Sequence, residues 1–254
     1  MQTKTQMISK NQIKYIRQLE QKKFRKREKC FVAEGPKVVG DLMRQYQPTA
    51  IYATDEWHPE YLYDTTLLIR ITDEELRRIS FLQNPQQVLA LFPVPEPSRI
   101  NPTGSLSLAL DSVQDPGNLG TIIRIADWFG IDTIYCSEDT ADAYNPKVVQ
   151  ATMGSLAHVH IIYCDLLKLF DTLPNDFPIY GTLLDGNDIY SQPLAQEGII
   201  VMGNEGNGIS EAVRQHVTHR LLIPNFHKGE SAESLNVAIA TAITCSEFRR
   251  RCTK

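Results

Sequence analysis

From Leu106 onward, six short apolar runs alternate with stretches of helical character, and this alternation constrains the fold more than any other feature of the chain. The runs are Leu106–Leu110, Thr133–Cys136, Val159–Ile162, Ile179–Leu184, Ile199–Met202 and Leu221–Ile223, and each reads as a strand. Helices are predicted between most of them, at 119–129, 146–153, 165–172 and 209–216. Strands joined through helices run parallel, so the expected class is α/β, a mainly parallel sheet with helices on both faces. In such sheets ligands bind at the C-terminal edge of the strands.

The preceding part of the chain reads as a smaller α/β module. A polar helix is predicted over 9–28, with Ile13, Ile16 and Leu19 as its apolar positions. Cys30–Ala33 is a short strand, and Glu34-Gly35-Pro36 turns the chain into a helix with Val38, Val39, Leu42 and Met43 on one face. Further strands are predicted at Ile51–Ala53, Leu67–Ile69 and Val88–Phe92, with a helix opened by Thr72 and a capping-box Glu75. Pro93, Pro95, Pro97, Pro102 and Gly104 then mark a stiff extended connection. The expected division is a domain over 1–97, a linker over 98–105 and a domain over 106–254.

Charge and cysteine content narrow the function. The net charge of -4 hides an asymmetry: residues 1–30 hold ten Lys/Arg against two Glu, leaving 16 basic and 28 acidic residues for the rest. Lys22, Lys23, Arg25, Lys26, Arg27 and Lys29 surround Phe24, an electrostatic handle suited to a phosphate backbone. Arg249, Arg250, Arg251 and Lys254 read as a solvated helix end. No apolar run approaches the ~18 residues of a membrane span, and the first residues lack the apolar stretch of a signal peptide. The five cysteines are scattered without CxxC spacing, so no zinc site or disulfide frame is indicated and a reducing cytoplasmic setting is expected.

Three strand-end segments carry the polar chemistry. After Leu110, Asp115-Pro116-Gly117 makes a turn and a helix is expected to begin near Asn118, with Ile122, Ile125, Ala126 and Phe129 buried and Arg124 on the side of Gly117 and Thr121. After Met202, Gly203-Asn204-Glu205-Gly206-Asn207-Gly208 lets backbone approach a ligand closely. It is neither GxGxxG nor a Walker loop, and Glu205 would repel a phosphate. After Ile223, Pro224 stops the strand and a polar loop leads into a helix on which Leu235, Ala238, Ile239, Ala242 and Ile243 recur at helical spacing, with Ser231 or Ser234 as its cap. His158 and His160 alternate along a predicted strand as ordinary strand residues.

Taken together, NxxxxxRxAxxFG, GNEGxGIS and IP…ESLNVAxAxAI resemble the three motifs of the SpoU-type (TrmH-like) RNA ribose 2′-O-methyltransferases, in order, spacing and strand-end placement. The basic helix followed by FVAEGPKVV resembles, more loosely, that family's ribosomal-protein-like substrate-binding module. The resemblance implies a SPOUT-class domain whose C-terminal segment threads a trefoil knot, a homodimer, and S-adenosylmethionine bound in the knot near Leu183, Gly203, Ile223 and Leu235, with Pro224, Ser234 and Asn236 shaping the pocket. It implies that Arg124 helps deprotonate the ribose 2′-hydroxyl, and that Asn118, Glu205, Ser234 and Asn236 position ribose, cofactor or one another. An arginine has a pKa above ~12, so Arg124 fits a phosphate-holding or alkoxide-stabilising role as well as that of a base. No metal is implied. Ribosomal RNA is the expected substrate because of the extra N-terminal module, with transfer RNA as the alternative. A non-catalytic RNA binder and a phosphate-binding nucleotide enzyme are the rivals.

Overall fold

The computed structural model describes residues 7–60, 64–96, 101–227, 229 and 233–252. These form two compact units, one of Met1–Glu96 with Asp142–His158, the other of Pro97–Ala141 with Val159–Lys254.

The first unit begins with α1 (Lys10–Gln18) and α2 (Lys22–Glu28), followed by β1 (Cys30–Glu34), α3 (Pro36–Met43), β2 (Ala50–Ala53), β3 (Leu68–Arg70), α4 (Asp73–Ile79) and β4 (Val88–Pro93). Its sheet has the order β1-β4-β2-β3, with β4 antiparallel to both neighbours and β2 parallel to β3. Thr72 and Glu75 form the expected capping box on α4. The single helix predicted over 9–28 is two helices. Leu19, fully buried, ends the first, and the Arg25 guanidinium takes the carbonyls of Leu19 and Glu20 at 2.6 Å each. A cation satisfies the orphan carbonyls that a helix end leaves, so the break is held by a contact that periodicity cannot show.

That contact also corrects the basic cluster. Arg25 is only 3% exposed and donates to Asp142 Oδ2 through Nη2 at 2.6 Å and Nε at 3.1 Å. Lys29 pairs with Glu96, Arg27 pairs with Glu28, and Lys23 and Arg27 lie over the Phe24 ring. Much of the cluster is therefore engaged within the unit.

The second unit opens with β5 (Leu106–Leu110), α5 (Pro116–Trp128) and β6 (Thr133–Cys136). The segment Asp142–His158 then belongs to the first unit, where α6 (Pro146–Ala151) packs on β1 and the Tyr144 ring lies 5.0 Å from that of Phe31. His158, expected on a strand, instead follows a 3-10 turn at Ser155–Ala157. The second unit continues with β7 (His160–Tyr163), α7 (Leu166–Asp171), β8 (Ile179–Asp188), β9 (Gly198–Met202), α8 (Glu211–Arg214), β10 (His219–Leu222) and α9 (Val237–Cys252). All six strands are parallel, in the order β10-β8-β9-β5-β6-β7. β9 and β5, the central pair, are fully buried, as a sheet covered on both faces requires.

α9 packs against α5, but not through the stripe the sequence suggested. Val237, Ala238, Thr241, Thr244, Cys245 and Phe248 are buried, whereas Leu235 and Ile239 are half exposed. Of the basic residues at its end, Arg250 is exposed as expected, Lys254 lies outside the described residues, and Arg249 and Arg251 are tied to other elements. Arg249 donates to the carbonyls of Phe129 and Gly130 at the end of α5, and Arg251 donates to those of Ile189, Tyr190 and Gln192. Arg250 and Arg251 both pair with Glu247, which is 4% exposed.

Candidate active site

The C-terminal ends of β8, β9 and β10 enclose a cleft of about 830 Å³, within the ~300–1,000 Å³ typical of small-molecule sites. An irregularity in β8 helps to make it. The ladder with β10 pairs Tyr180 and Gly181, then skips to Asn187 and Asp188, and the ladder with β9 ends at Gly181. Thr182–Gly186 are thus released from both neighbours, and Thr182, Leu183 and Leu184 line the cleft. Gly186 permits this, because a Cβ there would lie 2.5 Å from the Leu221 carbonyl carbon.

The second wall is the glycine loop after β9. Asn204 and Gly208 bond each other's backbone in both directions, and Asn204 Oδ1 accepts from the N–H groups of Gly206 and Asn207. Gly203 sits beneath this closed turn, where a Cβ would lie 2.1 Å from the Gly208 carbonyl carbon. No residue but glycine fits there without moving backbone. Asn204 Nδ2 donates to the Ser112 carbonyl at 2.7 Å, tying the loop to the one after β5.

A hydrogen-bond relay joins all three motif segments. Glu205 accepts from the N–H groups of Gln114 and Asp115 at 3.1 and 3.0 Å and from Asn118 Nδ2 at 3.0 Å. Asn118 Oδ1 accepts from Asn236 Nδ2 at 2.9 Å. Asn236 Oδ1 accepts from the N–H of Ala238 at 2.9 Å and of Ile239 at 3.3 Å. Burial alone would raise the Glu205 carboxyl, but the bonds from Asn118, Asp115 and Gln114 outweigh it and hold the pKa below the ordinary value. The carboxylate is charged and fully engaged with donors, which explains why a glutamate sits in a glycine loop.

The structure brings most of the predicted site residues together. Leu183, Gly203, Ile223, Pro224 and Leu235 all line the cleft, as do Glu205 and Ser234. Asn118 and Asn236 stand behind Glu205 in the relay. Arg124 lies outside it, exposed on α5 with no hydrogen bond or ion pair among the described residues. Two expected helix starts are corrected. α5 begins at Pro116 rather than near Asn118, capped by Asp115, which accepts from the Asn118 N–H at 2.8 Å, and proline there lacks only a donor the helix does not need. Asn236 caps α9 in place of Ser234; Ser231 lies outside the described residues. Sequence reasoning missed Asn204, whose signal is an Asx turn inside the glycine loop, and the N–H groups of Gln114 and Asp115, which no side chain announces. Phe226 and Leu184, 81% and 73% exposed, place large apolar groups at the cleft. Among the described residues no group of three His, Cys, Asp or Glu is placed to hold a metal ion, and no helix is long and apolar enough to cross a membrane.

A parallel sheet with a cleft of freed backbone at its C-terminal edge, roofed by a helix bonded back to the first motif, defines a SPOUT-type α/β domain. Residues 105–246 match the SpoU rRNA methylase family and residues 10–90 the MRM3-like substrate binding domain. The 23S rRNA (guanosine(2553)-2′-O)-methyltransferase RlmP of Bacillus subtilis is 32% identical over 95% of this chain and 97% of its own length. A TrmH-family structure from Porphyromonas gingivalis, 43% identical, superposes with a TM-score of 0.87 over 97% of this chain and all of its own. An AdoMet-bound rRNA methyltransferase from Sinorhizobium meliloti, 29% identical, superposes with a TM-score of 0.83 over 98% of each chain. The chain belongs to the SpoU rRNA methylase family.

Proposed function

We propose that this protein methylates a ribose 2′-hydroxyl of ribosomal RNA with S-adenosylmethionine, as a cytoplasmic homodimer. The observation that carries the reading is the relay Glu205–Asn118–Asn236, which links the three motif segments at one cleft. The residues present fit the cofactor. Leu183, Ile223 and Leu235 supply apolar walls, and Gly203 lets the Gly208 backbone fold down onto it to close the loop that forms the second wall. The freed segment Thr182–Gly186 offers backbone donors and acceptors to a nucleoside. S-adenosylmethionine supplies an electrophilic methyl group on a sulfonium.

The chain's own contribution is alignment and charge. Transfer to a sugar oxygen needs nucleophile and methyl in line, so much of the rate comes from fixing the walls that hold them. Glu205 does this by locking the glycine loop to the α5 turn, and its ionised carboxylate places negative charge at the cleft, which suits a cationic donor. Asn236 fixes the start of α9, and Ser234 adds a hydroxyl to the cleft wall. Arg124, a permanent cation without a partner among the described residues, holds a substrate phosphate or stabilises the forming alkoxide rather than serving as a neutral base.

The division into a substrate-binding domain over 1–97, a linker and a catalytic domain over 106–254 fits the two family matches. Ribosomal rather than transfer RNA is favoured by the B. subtilis relative, which matches across both. A trefoil knot in the C-terminal segment is supported by the position of α9, which follows the edge strand β10 yet packs on α5, the helix after the central strand β5. The homodimer is supported by apolar surface on the same two helices: Trp128 on α5 is 85% exposed, Ile239 on α9 52%.

Methyl transfer to a 23S rRNA transcript tests the reading. Arg124→Ala is expected to abolish transfer while leaving the fold and S-adenosylmethionine affinity intact. Undiminished turnover would remove Arg124 from the mechanism.

A further inference from the structure

The obvious RNA handle, the basic cluster on α2, is largely engaged by Asp142, Glu96, Glu28 and the Phe24 ring. A different surface of the first unit carries unengaged chemistry. Between α4 and β4 the chain reads Gln83-Asn84-Pro85-Gln86-Gln87. All four carboxamides lack a hydrogen-bond partner among the described residues, and Gln83, Asn84 and Gln86 are exposed.

The loop is held at both ends. Glu34, 4% exposed at the end of β1, accepts from the Ser80 hydroxyl and from the Phe81 N–H at 2.8 Å. Arg17 donates to the Ser80 carbonyl and lies 4.6 Å over the Phe81 ring. At the far end the main-chain carbonyl of Gln87, whose φ is 53°, accepts from the Thr54 N–H at 2.8 Å. A buried carboxylate and a left-handed non-glycine residue are both costly, and together they hold the base of a short polar loop. Burial raises the Glu34 carboxyl, against the lowering effect of the bonds from Ser80 and Phe81.

We infer that Gln83–Gln87 is the base-reading element of the substrate-binding unit, and that its ligand is unpaired nucleotides of the RNA. A carboxamide offers a donor beside an acceptor, the pattern of a base edge, and the bases of single strands and loops expose such edges. Arg77 and Arg78, exposed on the last turn of α4, lie six and five positions before Gln83 and would meet the accompanying phosphates. Gln87 also lines a groove of about 440 Å³ with Lys37, Arg44, Trp57 and His58. Lys37 and Arg44 are paired there with Asp41 and Glu60, which disfavours an anion and suits a neutral base.

The inference rests on the proposed RNA substrate, and its test separates the two. The full chain is titrated with a 23S rRNA transcript over a range of salt, comparing wild type, the triple variant Gln83→Ala/Asn84→Ala/Gln86→Ala and the pair Arg77→Ala/Arg78→Ala. The triple variant is expected to bind about tenfold more weakly or worse, with the salt slope and S-adenosylmethionine affinity unchanged, since amides release no counterions. The arginine pair is expected to flatten the slope by about one to two. A triple variant that binds the transcript like wild type overturns the inference, also if it has lost affinity for intact ribosomal subunits, which would make the loop a protein contact. A wild-type chain that binds S-adenosylmethionine but no transcript overturns the substrate reading and the inference with it.

Discussion

Asn118 and Asn236 lie 118 positions apart in the chain and share a 2.9 Å hydrogen bond, with Asn118 in turn donating to Glu205. One carboxamide thus uses its donor and its acceptor to join three loops. Asn118→Ala removes both bonds, each worth ~1 kcal/mol, so kcat/KM for methyl transfer should fall by about 10–30-fold. Asn118→Asp is nearly isosteric but turns a carboxylate toward Glu205, and it should be the worse of the two. Steady-state kinetics on both variants check the order; equal effects would mean that volume, not polarity, matters there.

Glu205 gives the site an acid limit. Its folded pKa is depressed, so its bonds contribute stability above the ordinary carboxylate value of 4.5, and that contribution is lost as pH falls through the lowered value. Glu205→Gln cannot lose a proton and points an amide donor at donors. The Tm difference between wild type and variant should therefore be largest near neutrality and shrink as pH falls from about 6 to 3. A difference independent of pH would show that the charge of Glu205 does not support the loop.

The exposed apolar groups on the paired helices give a test of assembly. Ile239→Glu or Trp128→Glu should convert the proposed dimer to a monomer by sedimentation with little change in far-UV dichroism, since Trp128 is mostly exposed and Ile239 half exposed in one copy. Unchanged association would place the copy-to-copy contact elsewhere.

Strand positions were legible because each is a compact apolar run, and β5, β6 and β9 fall where Leu106–Leu110, Thr133–Cys136 and Ile199–Met202 predict, to within a residue. What was not legible depends on partners distant in the chain. The helix break at Leu19 needs Arg25 to reach two carbonyls. The grouping of Asp142–His158 with the first unit rests on contacts such as Arg25 with Asp142 and Phe31 with Tyr144. On α9 the apolar stripe was visible, but a stripe does not say whether it faces a core or the outside. Within the site, motif spacing located Asn118, Glu205 and Asn236, but not that Asn236 rather than Ser234 caps α9. Only geometry separated the relay from Arg124.

The decisive measurement is methyl transfer from labelled S-adenosylmethionine to a 23S rRNA transcript, followed by alkaline hydrolysis of the RNA. A methyl group on a ribose 2′-oxygen blocks cleavage of the adjoining phosphodiester, so the label should emerge in alkali-resistant dinucleotides. Label recovered in mononucleotides would place the methyl on a base, and no incorporation from a chain that binds the cofactor would refute the reaction itself.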